Sequence, residues 1–134
     1  MTILRGRERP LQRNTGLKEK FGFALAGVAY AWSTQSNFRF HVGAAILVLL
    51  AAGLLRVSAG ELLFLFFAIF LVLVAEMLNT AVELAVDLFG PGHHRLAKAA
   101  KDVAAGAVLL AAANSVVAGL LVFGPHIWAL LARR

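Results

Sequence analysis

Glu76, Asn79, Glu83 and Asp87 follow one another at spacings of three, four and four residues. A helix turns by about 100° per residue, so these spacings stack the four side chains in a single polar stripe. The stripe begins where an apolar stretch ends, because residues 62–75 contain no polar side chain. A carboxylate at bilayer depth costs several kcal/mol unless it is paired, protonated or bound to a cation. The stripe therefore reads as a working site; a buried polar network that locks helices together would use the same residues. A short connection later come His93, His94, Lys98, Lys101 and Asp102. Phosphoryl transfer requires hard oxygen ligands for a divalent cation, cations on the phosphates and a base for the attacking hydroxyl. Glu83 and Asp87 could hold Mg²⁺, Lys98 and Lys101 could hold phosphates, and Glu76, the deepest of the set, could take the hydroxyl proton.

The elements that must position these groups are membrane helices. The chain has 134 residues, 60% of them hydrophobic, with a mean hydropathy of +0.80. That suits one domain and is too apolar for a soluble one. Three stretches, about 38–57, 62–84 and 103–123, approach the roughly 20 residues that a bilayer crossing requires. Their continuous apolar runs lack the alternation of barrel strands and predict helices. Before them, Leu17, Phe21, Leu25, Val28 and Trp32 recur at helical spacing, predicting a helix over about 17–35 that lies at the interface. The competing reading makes it the start of the first span. Residues 1–15 form a basic tail, and 16–134 form one integral-membrane domain.

Charge sets the orientation. The net charge is +6. Arg5, Arg7, Arg9, Arg13, Lys18 and Lys20 precede the first span, and Arg95, Lys98 and Lys101 sit between the second and third, whereas the first connection has only Arg56. Lys and Arg stay on the cytoplasmic side, which places the N-terminus and the second connection inside, against a weaker pull from Arg133 and Arg134. No nucleic-acid-reading module accompanies the basic balance, so anionic headgroups are its expected partner. The absence of cysteine excludes disulfides and thiolate chemistry. Residues 21–28 followed by Ala29-Tyr30-Ala31 imitate a signal peptide only weakly, being short and broken by Gly22 and Gly27.

Local signals complete the outline. Ser58 and Glu61 have the spacing of a capping box at the start of the second span, and Gly90-Pro91-Gly92 stops it. Arg39 is placed to snorkel to phosphates at the mouth of the first span. Ala107, Ala111, Ser115 and Gly119 form a small-residue seam for close helix packing, and Asn114 lies mid-span with no evident polar partner. Gly22 and Gly27 have P-loop glycine spacing, but Val28-Ala29 stands where Lys and Ser or Thr are needed. His93-His94 completes no zinc pattern.

Glu76-x-x-Asn79-Thr80-Ala81-x-Glu83-x-x-x-Asp87, followed by Ala100-Lys101-Asp102-x-Ala104-Ala105-Gly106-Ala107-Val108, resembles the bacterial diacylglycerol kinase family. Asn37-Phe38-Arg39-Phe40-His41 and the run from His93 to Asp102 are similar to its Gram-positive branch, the undecaprenol kinases. The resemblance covers about 22–123. It implies an all-α homotrimer of chains with an interfacial helix and three transmembrane helices in the bacterial cytoplasmic membrane, the active site facing inward. It further implies ATP-dependent phosphorylation of a lipid alcohol with Mg²⁺. By position, it makes Glu76 the general base and a lipid contact, and Glu83 a metal and nucleotide ligand, with Asn79 and Asp87 supporting them. Phe23, Gly92, His93, His94, Lys101 and Asp102 fall on nucleotide-contacting positions, and Asn37, Phe38, Arg39, Phe40, His41 and Ala105 on lipid-contacting ones. Two positions depart from the pattern: Gln35 stands where a second metal-binding Glu is usual, and Phe23 where a Tyr often meets the nucleotide. Undecaprenol is favoured over diacylglycerol on the resemblance alone. The competing class is a proton- or ion-conducting oligomer that uses Glu76, which would have no need of the basic loop or of Lys101-Asp102.

Overall fold

A computed structural model of the chain describes residues 16–90 and 95–132. They form α1 (Leu17–Thr34), α2 (Ser36–Leu55), α3 (Ala59–Asp87) and α4 (Arg95–Leu131), with no strand among the described residues. The helices α2, α3 and α4 are each long and apolar enough to cross a membrane. Gly92, His93 and His94, together with the basic tail, Arg133 and Arg134, lie outside the described residues.

The division between α1 and α2 falls on one residue. Gln35 is extended, with φ −103° and ψ 110°, and breaks the helical run. Ser33 and Thr34 donate their hydroxyls to the Tyr30 carbonyl at 3.0 and 2.8 Å, a competition that favours a helix end. Arg39 reaches back from α2 and donates to the carbonyls of Trp32 at 2.8 Å and Ser33 at 3.3 Å. These are among the orphan carbonyls that every helix C-terminus leaves. Arg39, expected to snorkel outward, is instead a clamp on the α1–α2 joint, because a one-residue connection brings those carbonyls within its reach. The prediction of a separate leading helix holds, and its competitor, a continuous start to the first span, does not.

The turn from α2 to α3 reads as the sequence implies. Arg56 ends α2 in the left-handed region at φ 52°, while Val57 donates to Ala52 at 3.1 Å. Ser58 then caps α3: Glu61 N–H donates to its hydroxyl at 3.3 Å, and its own N–H donates to the Glu61 carboxylate at 2.7 Å, so the capping box is complete. At the other end α3 stops at Asp87, and Gly90 supplies a positive φ of 82°.

The most extensive packing is between α3 and α4, with α2 laid against α3. Leu65, Ala68, Val72, Glu76 and Thr80 form the buried face of α3, and Ala111, Ala118 and Val122 that of α4. Small side chains let the backbones approach, and the Ser115 hydroxyl donates to the Ala68 carbonyl across the gap at 3.0 Å. Ala107, expected in this seam, is exposed. Asn114 is exposed as well, and Ser115 is the polar link to α3 among the described residues. At about 1.5 Å per residue, the 37 residues of α4 extend well past the ~30 Å hydrocarbon layer. Pro125 lies inside its last turns and does not end it. The surplus at the other end carries Lys98, Lys101 and Asp102 beyond the apolar segment and over the end of α3.

Candidate functional site

The polar stripe forms as one face of α3 and is graded in exposure. Glu76 is buried, at 3% exposure; Asn79 and Glu83 are half-buried; Asp87 is exposed. Eleven residues at about 1.5 Å each place Glu76 some 16 Å below the end of α3. Helical geometry therefore runs one line of oxygen atoms from an apolar interior to an open mouth.

Near Glu76 the structure brings in a residue of α2. His41 Nε2 lies 3.4 Å from Glu76 Oε1. Phe40 sets its ring edge-on to the imidazole, with centroids 5.5 Å apart. Phe38, the other aromatic of that motif, is buried, whereas Asn37, Phe40 and Arg39 are exposed. The signal in the sequence was the pairing rule for intramembrane charge: a single His inside one apolar span and a deep Glu inside the next are natural partners. Thr80, also buried, donates its hydroxyl to the Glu76 carbonyl at 3.0 Å and thereby satisfies itself within the helix.

Toward the mouth, Asn79 Nδ2 donates to Glu83 Oε1 at 3.1 Å. The other side-chain atom of Asn79, Oδ1, is buried with no hydrogen-bond partner. A buried carbonyl oxygen beside a carboxylate is a hard-oxygen pair of the kind Mg²⁺ binds, and Mg²⁺ commonly takes only one or two protein ligands plus phosphates. The described residues include no group of three His, Asp or Glu side chains gathered for a metal, so the donor set fits a cation shared with a phosphate ligand and not an all-protein cage. Gln35 sits half-buried at the α1–α2 joint, and no hydrogen bond joins it to Glu83 among the described residues.

At the mouth, Lys101 Nζ pairs with Asp87 at 2.6 Å and Lys98 Nζ with Asp102 at 2.9 Å. Both pairs are largely exposed and screened by solvent, so each contributes little to stability and leaves its lysine open to exchange for an anionic ligand. The first pair ties α4 to α3 across the connection that carries His93 and His94. A groove of about 810 Å³ runs between α3 and α4, lined by Leu71, Val74, Asn79, Val103, Ala104 and Ala107. Phe23 on α1 and Ala105 on α4 are both exposed.

Three apolar helices, a deep carboxylate and a charged mouth define a helical membrane enzyme that acts where lipid meets water. The chain belongs to the prokaryotic diacylglycerol kinase family, which matches residues 22–123. It is 43% identical over 132 residues to a diacylglycerol kinase of Synechocystis sp., covering 94% of this chain and 75% of the relative. It is likewise 43% identical over 109 residues to an undecaprenol kinase of Bacillus subtilis, covering 81% and 89%. A diacylglycerol kinase of Escherichia coli is 32% identical over 105 residues, covering 78% and 86%. The protein is a lipid kinase, and its family favours that activity over the ion-conducting oligomer.

Proposed function

We propose that the chain transfers the γ-phosphoryl group of ATP to the hydroxyl of a lipid alcohol, with Glu76 as the general base and undecaprenol as the favoured acceptor. The observation that carries this reading is the burial gradient along α3: one carboxylate deep among apolar side chains, and charged groups where a soluble nucleotide would arrive. A lipid hydroxyl can reach Glu76 from within the bilayer, while ATP remains in water at the mouth. Glu76 accepts the proton as the lipid oxygen attacks phosphorus, a role typically worth about 10²–10⁴ in rate. Glu83 and Asn79 would hold Mg²⁺, with Gln35 a further oxygen donor from the α1–α2 joint. Bound there, Mg²⁺ neutralises charge on the phosphoryl oxygens. Lys101 leaves Asp87 to meet the phosphates, and Asp102, Gly92, His93, His94 and Phe23 complete the nucleotide contacts. Asn37, Phe38, Arg39, Phe40, His41 and Ala105 border the lipid.

The preference for undecaprenol rests on the run Asn37-Phe38-Arg39-Phe40-His41 and on the likeness to the Bacillus relative. Assembly as a homotrimer is supported by the open apolar groove between α3 and α4 and by the exposed amide of Asn114, a costly group to leave in lipid. The basic residues of the tail and of α4 support a bacterial cytoplasmic membrane location with N-terminus and active site inside. Purified protein incubated with radiolabelled ATP, Mg²⁺ and either undecaprenol or diacylglycerol tests the substrate. Faster labelling of undecaprenol is expected. Labelling of diacylglycerol alone would reverse the preference, and labelling of neither would refute the reading.

A further inference from the structure

Transfer of a phosphoryl group to an alcohol releases a proton in every turnover. The lipid O–H bond breaks, an O–P bond forms, and the bond from the γ-phosphorus to the ADP oxygen breaks, so a base that takes the hydroxyl proton must lose it before the next cycle. Glu76 is badly placed to lose it to water, because its side chain is 4% exposed. The hydroxyl beside it, that of Thr80, is already donated to the Glu76 carbonyl. Among the described residues, the titratable side chain within salt-bridge distance of the carboxylate is His41, whose Nε2 is 3.4 Å away and whose side chain is 19% exposed. That separation is longer than the roughly 2.7–3.2 Å of an ordinary hydrogen bond, in the way that catalytic contacts often are before ligands bind. Imidazole exchanges protons readily near neutral pH.

We infer that His41 is the proton outlet of the site, a relay from the buried base toward the start of α2, five residues away. The inference rests on the reading of Glu76 as the base. The lipid hydroxyl proton passes to the Glu76 carboxylate as the O–P bond forms. It then passes from the carboxyl to His41 Nε2, which restores the carboxylate beside an imidazolium, and leaves the ring toward Gln35, Ser36 and Asn37, the polar residues at the opening of α2, where water takes it up. Other charged or titratable groups on the packed elements are engaged elsewhere or outside the pocket. Arg39 of α2 holds the α1 carbonyls, Glu83 of α3 accepts from Asn79, and Lys101 of α4 pairs with Asp87. Lys98 and Asp102 of α4 pair with each other, Lys18, Glu19 and Lys20 lie in the first turn of α1, and Tyr30 is exposed. His41 thus acts through Glu76, as a positioning and relay residue.

Three variants test the relay in lipid bilayers: His41→Gln, which keeps a polar side chain but cannot carry a proton, His41→Ala, and Glu76→Gln. The expected results are a kcat for His41→Gln lower by roughly a hundredfold or more, a KM for ATP changed much less, and loss of the wild-type pH dependence of kcat. For His41→Ala, added imidazole should restore turnover in proportion to its neutral form. Wild-type kcat and pH profile in His41→Gln would overturn the relay, as would a slow His41→Ala that imidazole does not rescue. An active Glu76→Gln would remove the base assignment itself. An inactive Glu76→Gln beside a normal His41→Gln would remove the relay and leave the base standing.

Discussion

Replacing Glu76 by Gln separates a working carboxylate from a structural one, because the two roles predict opposite signs for stability. The side chain is 3% exposed, and His41 lies 3.4 Å from its carboxylate. If the pair existed to lock α2 against α3, breaking it would leave an uncompensated group and cost about 3–5 kcal/mol. If the carboxylate is retained for chemistry, Gln fills nearly the same volume, can still hydrogen-bond to His41, and removes the desolvation cost of a buried charge. Thermal stability should then be unchanged or raised. Activity should fall by about 10²–10⁴ with the loss of the base, equivalent to about 2.7–5.4 kcal/mol of barrier at 1.36 kcal/mol per decade. The assay pairs lipid phosphorylation by radiolabelled ATP with thermal unfolding of the same preparation in the same detergent or bilayer. A variant that is both inactive and markedly less stable would refute the argument, and so would a stable variant with near-normal turnover.

Three further outcomes are expected. Gln35→Glu should lower the Mg²⁺ concentration for half-maximal activity and leave the lipid dependence alone, since hard cations prefer charged oxygen ligands; an unchanged Mg²⁺ titration would remove Gln35 from the metal site. Ser115→Ala removes the bond to the Ala68 carbonyl and should destabilise the fold by about 0.6 kcal/mol, at most about 1.7, a loss readable as a lower midpoint of thermal unfolding. Arg56→Gly relieves a left-handed backbone at φ 52° and should raise the same midpoint, by the equivalent of about 1 kcal/mol; a lower midpoint would show that the side chain contributes more than the strain costs.

Features set by local rules were legible in the sequence. The capping box at Ser58 and Glu61 depends on a spacing of three, and the stripe on α3 depends on the helical repeat, so each could be placed without knowing the rest of the molecule. Features that depend on how helices meet were not. Glu76 and His41 are 35 positions apart, and their contact requires α2 and α3 to run side by side in one register. The lipid-edge reading of His41 came from the family resemblance, which says nothing of its rotation toward α3. Of the small-residue seam, Ala111 is buried and Ser115 and Gly119 are half-buried, whereas Ala107 is exposed for a geometric reason. A strict four-residue repeat advances about 40° too far at each step, so a stripe beginning at Ala107 drifts around the helix. The buried face is instead Ala111, Ala118 and Val122, with half-buried Ser115 between them, at steps of three and four.

Burial along α3 connects these observations to the reaction. A single acidic helix face would be of little use if it were uniformly buried, because ATP could not approach it, or uniformly exposed, because a lipid hydroxyl would have to leave the bilayer. The 29 residues of α3 exceed a bilayer's needs at about 1.5 Å each, and the surplus lets one stripe begin in lipid and end in water. Its two ends are served by different neighbours: His41 from α2 at the deep end, and Lys101 from the overhanging start of α4 at the mouth. On the proposed reading of Glu76 as the base, the length of α3 and the overhang of α4 belong to the catalytic design as much as the carboxylates do. Shortening either helix at the charged end should impair nucleotide use before it impairs folding.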